Sequence, residues 1–152
     1  MSIDVGREVA AAPAAAWRLL ADTRMWPMWG PTVRRVELSA SPEGERDGDK
    51  DGNEDADSAH LVARGRRGRV VTPFGLALPF VITHVEAGHR WSWRVAGVPA
   101  TGHRVEPTRN GCRVVFEVPT LLPAYVIVCR LALHRIEHLL VAPPDGPAGD
   151  SR

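Results

Sequence analysis

Apolar and polar positions alternate in "IDVGREVA", with Ile3, Val5 and Val9 on one face, which is the period of a half-buried strand. Pro13 then sits where a helix can begin, and Ala14 to Ala21, carrying Trp17, Leu19 and Leu20, is helix-forming until "DTRMWPMWGP" breaks it. A strand follows at "TVRRVELSA", with Val33 and Val36 as its apolar members. Further on, "AHLVARGRRGRVVT", "LALPFVITHVEA", "RWSWRVAG", "GHRVEPT" and "CRVVFEV" each read as strands. Their separators "PFG", "AGH", "VPAT" and "RNG" have hairpin turn chemistry, so consecutive strands pair antiparallel. Leu121 to Leu140 changes period: Leu122, Val126, Cys129, Leu133, Ile136 and Leu140 fall on one stripe of a long amphipathic helix. The predicted order is strand, one or two short helices, six strands, long helix.

That order is an α+β architecture. A curved antiparallel sheet of short strands coils strongly, and a single long helix at its end covers the concave side. Space that side chains leave between sheet and helix becomes a cavity, open where the loops meet.

Composition narrows the picture further. The 152 residues fit one domain, predicted over 1–140, and the 44% hydrophobic and 24% charged fractions are those of a globular chain. No apolar run approaches the roughly 20 residues of a membrane span, so no stable membrane insertion is expected. The Ala-rich start has Asp4, Arg7 and Glu8 where a signal peptide needs basic residues, and Pro13 interrupts it. The expected location is therefore the cytoplasm, with Cys112 and Cys129 as reduced, buried thiols.

The net charge of +1 conceals an acidic block, "SPEGERDGDKDGNEDADSA", where eight carboxylates face Arg46 and Lys50. Having no apolar residue larger than alanine, residues 41–59 read as a disordered insertion, and 141–152 as a disordered tail. Asp47, Asp49, Asp51 and Gly52 imitate the start of a calcium-binding loop, but its twelfth position is Ser58 instead of glutamate. The segment is read as a solvated acidic loop.

Two other motifs are set aside. "HRIEH", His134 to His138, has the spacing of an inverted zinc protease site, but only Asp145 and Asp150 follow as carboxylates, so no metal and no cofactor is expected. "RGRRGR", Arg64 to Arg69, lacks interleaved aromatics and is read as part of a strand, so no nucleic-acid partner is expected.

The strand ending in "AAAPAAAWRLLAD", then "MWPMWGPTVRRVE", "ITHVEAGHRWSW", "GHRVEP" and the helix "LALHRIEHLL", resembles the SRPBCC superfamily over Ile3 to Leu140. This is the START and Bet v 1-like helix-grip group, in particular bacterial proteins of the polyketide cyclase/dehydrase type. The resemblance implies a helix-grip fold with an apolar ligand cavity between sheet and helix, and lipid or other hydrophobic ligands. It gives no explanation of the acidic insertion.

On that fold the turn "WPMWG" lies at the cavity end, so Trp26 and Trp29 are expected in its wall or lid, one of them capping the core. Phe74, Phe80, Trp91 and Trp93 join the expected ligand-binding set, with His103, Val105 and Phe116 on strands and Tyr125 and Cys129 on the last helix. Alternation puts Trp91 with Trp93, and His103 with Val105, on common faces, and leaves open which face is concave. Ser92, Arg94, Thr101 and Tyr125 are candidate hydrogen-bonding groups near the mouth. His103 and Tyr125 are the catalytic candidates, as proton-transfer groups. The expected function is binding of a hydrophobic or aromatic small molecule by a non-catalytic carrier. The alternatives are a polyketide cyclase, aromatase or dehydratase, and a protein-interaction module.

Overall fold

The computed structural model describes residues 2–39 and 59–141. The acidic stretch and the tail beyond Val141 lie outside the described residues, together with the readings of a disordered insertion, a calcium-like loop and a disordered tail. Strand β1 (Ser2–Val9) leads into α1 (Pro13–Ala21), a 3-10 turn (Thr23–Met25) and α2 (Trp26–Trp29). Strands β2 (Arg35–Leu38), β3 (Arg67–Val71), β4 (Ala77–Glu86), β5 (Arg90–Val95), β6 (Val98–Thr108) and β7 (Gly111–Pro119) follow, then α3 (Tyr125–Val141). The seven strands form one antiparallel sheet in the order β1-β7-β6-β5-β4-β3-β2. Among the described residues no helix is long and apolar enough to cross a membrane.

The helices cover one face of this sheet. Cys129, Ala132, Leu133 and Ile136 bury the predicted stripe of α3, which packs against β1 and β7 and touches α1 and α2. The helix starts at Tyr125, because Pro119 and Pro123 hold the preceding residues in turns. From β7, Cys112, Val114, Phe116 and Val118 point into the same core, with exposures of 3% or less, so the inner face is the one bearing Phe116 and His103.

Two strand boundaries differ from the sequence reading. "VPAT" belongs to β6, and the turn is Ala96-Gly97, both with positive φ (53° and 81°) as a tight two-residue hairpin requires. Pro99 is accommodated because the β5/β6 register shifts between Ser92 and Arg94, and an irregular ladder does not need the missing N–H. In "AHLVARGRRGRVVT" only Arg67–Val71 is strand. Gly65 turns with φ 87°, and the Arg66 guanidinium donates to the carbonyls of Ala59 (2.6 Å) and Leu61 (2.7 Å).

The outer face is held by ions. Glu117 accepts from Arg90 (2.7 Å) and Arg104 (2.6 Å), and Arg104 also reaches Glu106 and Asp4. These arginines keep the Glu117 carboxyl below the usual carboxylate range. Gly102 makes this possible, because the Glu117 side chain lies across the position its Cβ would occupy.

Candidate functional site

Between sheet and α3 the side chains leave a cavity of about 340 Å³. Its deep wall is aromatic: Trp26 and Trp29 from α2, Trp91 and Trp93 from β5, His103 from β6 and Phe116 from β7. Tyr125, Val128, Cys129 and Ala132 face them from α3. The mouth is made by Pro31–Val33, Thr72, Ala96, Val98, Pro99, Pro119 and Leu122.

The tryptophans of "WPMWG" are wall and cap at once. The segment is a one-turn helix with Pro27 in its first turn, and both indoles are buried, at 1% and 6% exposure. A helix leaves its last four carbonyls without intrahelical partners. The last i→i+4 bond of α1 runs from the Asp22 N–H to the Arg18 carbonyl (3.2 Å), and the four carbonyls beyond it all find partners: Leu19 accepts from Trp29 Nε1–H (3.0 Å), Leu20 from Trp26 Nε1–H (2.9 Å), Ala21 from the Val62 N–H (2.9 Å) and Asp22 from the Met25 N–H (2.9 Å). The two indoles thus end the helix with their polar edges and present their apolar bodies to the cavity.

The rings form a continuous stack. Trp26 lies parallel to Trp91 (centroids 5.0 Å apart, planes at 5°), and Trp91 lies on His103 (4.0 Å, 21°). Phe116 meets His103 edge-on at 4.9 Å, and Trp29 meets Phe116 edge-on at 5.6 Å. Trp93 closes the group with its edge toward Trp26 and Trp91.

Few polar groups enter this wall. Trp93 Nε1–H donates to Thr101 Oγ1 (3.3 Å), which lies 3.0 Å from His103 Nε2. Burial pulls the His103 pKa down to about 3, with the Trp91 backbone and Glu117 pushing the other way without prevailing, so the ring is neutral at physiological pH. Its Nδ1 and the Trp91 Nε1–H have no hydrogen-bond partner among the described residues. At the mouth, the hydroxyls of Tyr125 and Thr32 lie 3.1 Å apart and tie the start of α3 to the loop after α2. Burial raises the Tyr125 pKa and pushes the Cys129 thiol up to about 12; Cys112 is also buried and free.

Eight of the expected site residues therefore line one cavity: Trp26, Trp29, Trp91, Trp93, His103, Phe116, Tyr125 and Cys129. Three do not. Phe80 packs behind the wall against Trp26 and Trp93 (5.7 and 5.5 Å), and Val105 is core beneath it. Phe74 stands 94% exposed on the β3–β4 turn, because "PFG" is the turn tip itself. Of the expected hydrogen-bonding groups, Thr101 and Tyr125 reach the cavity. Ser92 and Arg94 do not line it, since alternation turns them away from Trp91 and Trp93. Sequence reasoning missed Thr32, Val70, Leu78, Val95 and Val128, whose aliphatic or small side chains carry no signal separating wall from core.

His134 and His138 stack one turn apart on the exposed side of α3 (5.6 Å), and among the described residues no three His, Cys, Asp or Glu side chains come together as metal ligands.

A seven-stranded sheet gripping a C-terminal helix around an aromatic cavity defines a cavity-type helix-grip protein. The chain belongs to the family described as polyketide cyclase / dehydrase and lipid transport, which it matches over residues 1–126. No curated protein matches the chain by sequence. Among solved structures it resembles a Mesorhizobium loti protein at TM-score 0.66 and 14% identity, covering 92% of this chain and 96% of that one. A Staphylococcus saprophyticus protein is similar at TM-score 0.65 and 11% identity, over 92% and 91% of the two chains. DynU16, from the dynemicin biosynthetic locus, is similar at TM-score 0.62 and 16% identity, over 94% of this chain and 48% of that one. These likenesses show the fold.

Proposed function

We propose that the protein binds a compact hydrophobic or aromatic molecule in this cavity as a non-catalytic carrier. The observation that carries the reading is the unfilled space of about 340 Å³ behind four tryptophans, within the size range of ligand pockets (about 300–1,000 Å³). Flat indole faces favour an aromatic or polyene ligand, and the Thr101–His103 pair offers one polar anchor to a carbonyl or phenol. A neutral His103 with a pKa of about 3 is a poor general base at pH 7, and a buried tyrosine with a raised pKa is a poor acid, which favours holding over turnover.

Native mass spectrometry of the protein purified without detergent tests this. The expected result is an excess mass lost on denaturation, or a mass shift with aromatic polyketides, flavonoids or fatty acids. Ala132→Leu, which adds volume to a wall residue 2% exposed, is expected to weaken the complex at least about tenfold. No shift with any of these compounds overturns the reading and favours a protein-interaction module.

The family description supports a second reading, a cyclase or dehydratase acting through His103 or Tyr125. Turnover of a poly-β-keto substrate that is lost in His103→Ala while binding persists would replace the carrier reading.

A further inference from the structure

Four segments meet around the cavity mouth: Gly30–Arg35 before β2, Val71–Leu78 across the β3–β4 turn, Arg94–Thr101 across the β5–β6 turn, and Val118–Tyr125 before α3. They come together because the register puts Val71 opposite Ala77 and Arg35, Val95 opposite Val98, and Pro119 opposite Ser2. Their side chains have an unusual distribution. The rim exposes Phe74 (94%), Leu121 (85%), Leu76 (59%), Val98 (53%) and Leu122 (47%). Soluble domains expose single apolar residues freely, but five large ones around a cavity opening are a patch that marks an interaction site.

Charge is equally one-sided. The four segments contain no aspartate or glutamate, and their charged residues are Arg34, Arg35 and Arg94. Arg35 pairs with Glu37, whereas Arg34 and Arg94 have no carboxylate partner among the described residues. An apolar rim flanked by arginines, with no carboxylate in its four described segments, matches the interfacial zone of an anionic bilayer, where side chains enter the acyl boundary and arginines meet lipid phosphates.

We propose that this end of the molecule docks reversibly on anionic lipid membranes, setting the cavity mouth against the bilayer so that an apolar ligand passes between them without crossing water. The proposal rests on the cavity-binding reading for its purpose, and docking itself is measured without ligand. Prongs as exposed as Phe74 and Leu121 suit insertion into a fluid acyl layer better than a protein surface, which would need a matching socket for each.

The test is flotation of the full chain with phosphatidylcholine vesicles, with and without about one third phosphatidylglycerol, at low and high salt. Binding to the anionic vesicles that weakens with salt is expected. Phe74→Ser with Leu121→Ser is expected to lower partitioning at least about tenfold. Arg34→Gln and Arg94→Gln are expected to lower it about fivefold each on anionic vesicles alone. Neither Phe74 nor Leu121 lines the cavity, so the double variant keeps ligand binding by native mass spectrometry. No partitioning, or partitioning unchanged in the double variant, overturns the proposal. Capture of the same rim by an acidic protein in place of vesicles overturns it too. Loss of the ligand reading alone leaves the vesicle result standing.

Discussion

Replacing the indole N–H of Trp26, and nothing else, separates its two roles. Trp26 and Leu20 are 1% and 0% exposed, so the Leu20 carbonyl has no solvent to turn to when its donor is removed. Leaving a buried acceptor unpaired costs about 1–3 kcal/mol. Benzothienylalanine at position 26 keeps the ring shape and the stack on Trp91 but carries sulfur in place of N–H, so its expected loss is that amount. Trp26→Phe adds the missing ring volume against Phe80, Trp91 and Trp93, roughly a further 1–2 kcal/mol. Against a total of about 5–15 kcal/mol, both losses are measurable by urea unfolding followed by far-UV circular dichroism, which does not depend on the replaced fluorophore. A benzothienyl variant within about 0.5 kcal/mol of the parent, beside a strongly destabilised phenylalanine variant, would show that the indole acts by volume alone and refute the capping argument.

Acid should destabilise the fold through His103. Its pKa is about 3 when folded and 6.5 ordinarily, so below pH 6.5 the unfolded chain binds a proton the native chain refuses. Stability is complete above 6.5 and falls by about 1.4 kcal/mol per unit toward 3, roughly 2 kcal/mol at pH 5; His103→Leu should flatten that slope in urea melts taken across the range. Gly68→Ala and Gly102→Ala form a matched pair. A Cβ at 68 meets the Glu37 backbone carbonyl, which cannot swing aside, whereas at 102 it meets the Glu117 carboxylate, which can. The expected losses are about 2–4 kcal/mol and about 1 kcal/mol respectively, and thermal melts that rank them in the other order contradict the packing described.

The element order was legible because periods of two and 3.6 residues alternate cleanly along the chain, and Trp91, Trp93, His103 and Phe116 could be assigned to faces by counting. The β5–β6 boundary was not legible, since Pro99 reads as a breaker until the register shift beside it is known. Phe74 was misplaced for a related reason: aromaticity suggests a wall, but "PFG" is short enough to be all turn. The capping of α1 was not legible: the sequence placed Trp26 and Trp29 only as cavity wall or lid, with one capping the core. Which carbonyls they reach depends on the angle at which α2 returns beneath α1, and that angle is set by tertiary packing.

The pairing of β1 with β7 has a consequence in time. Ser2 lies opposite Pro119 and Val9 opposite Cys112, partners more than a hundred residues apart in the chain. At about 5–20 residues per second of synthesis, the first strand waits roughly 5–25 s before its neighbour exists. During that interval β3 to β6 can assemble by successive hairpins and β2 can add to β3, while the first strand and α1 have no sheet edge at β7 to close. The order of emergence thus makes the helix-covered edge the last part of the molecule to form, and a ribosome-bound chain halted short of residue 112 should hold its hairpins without its cavity.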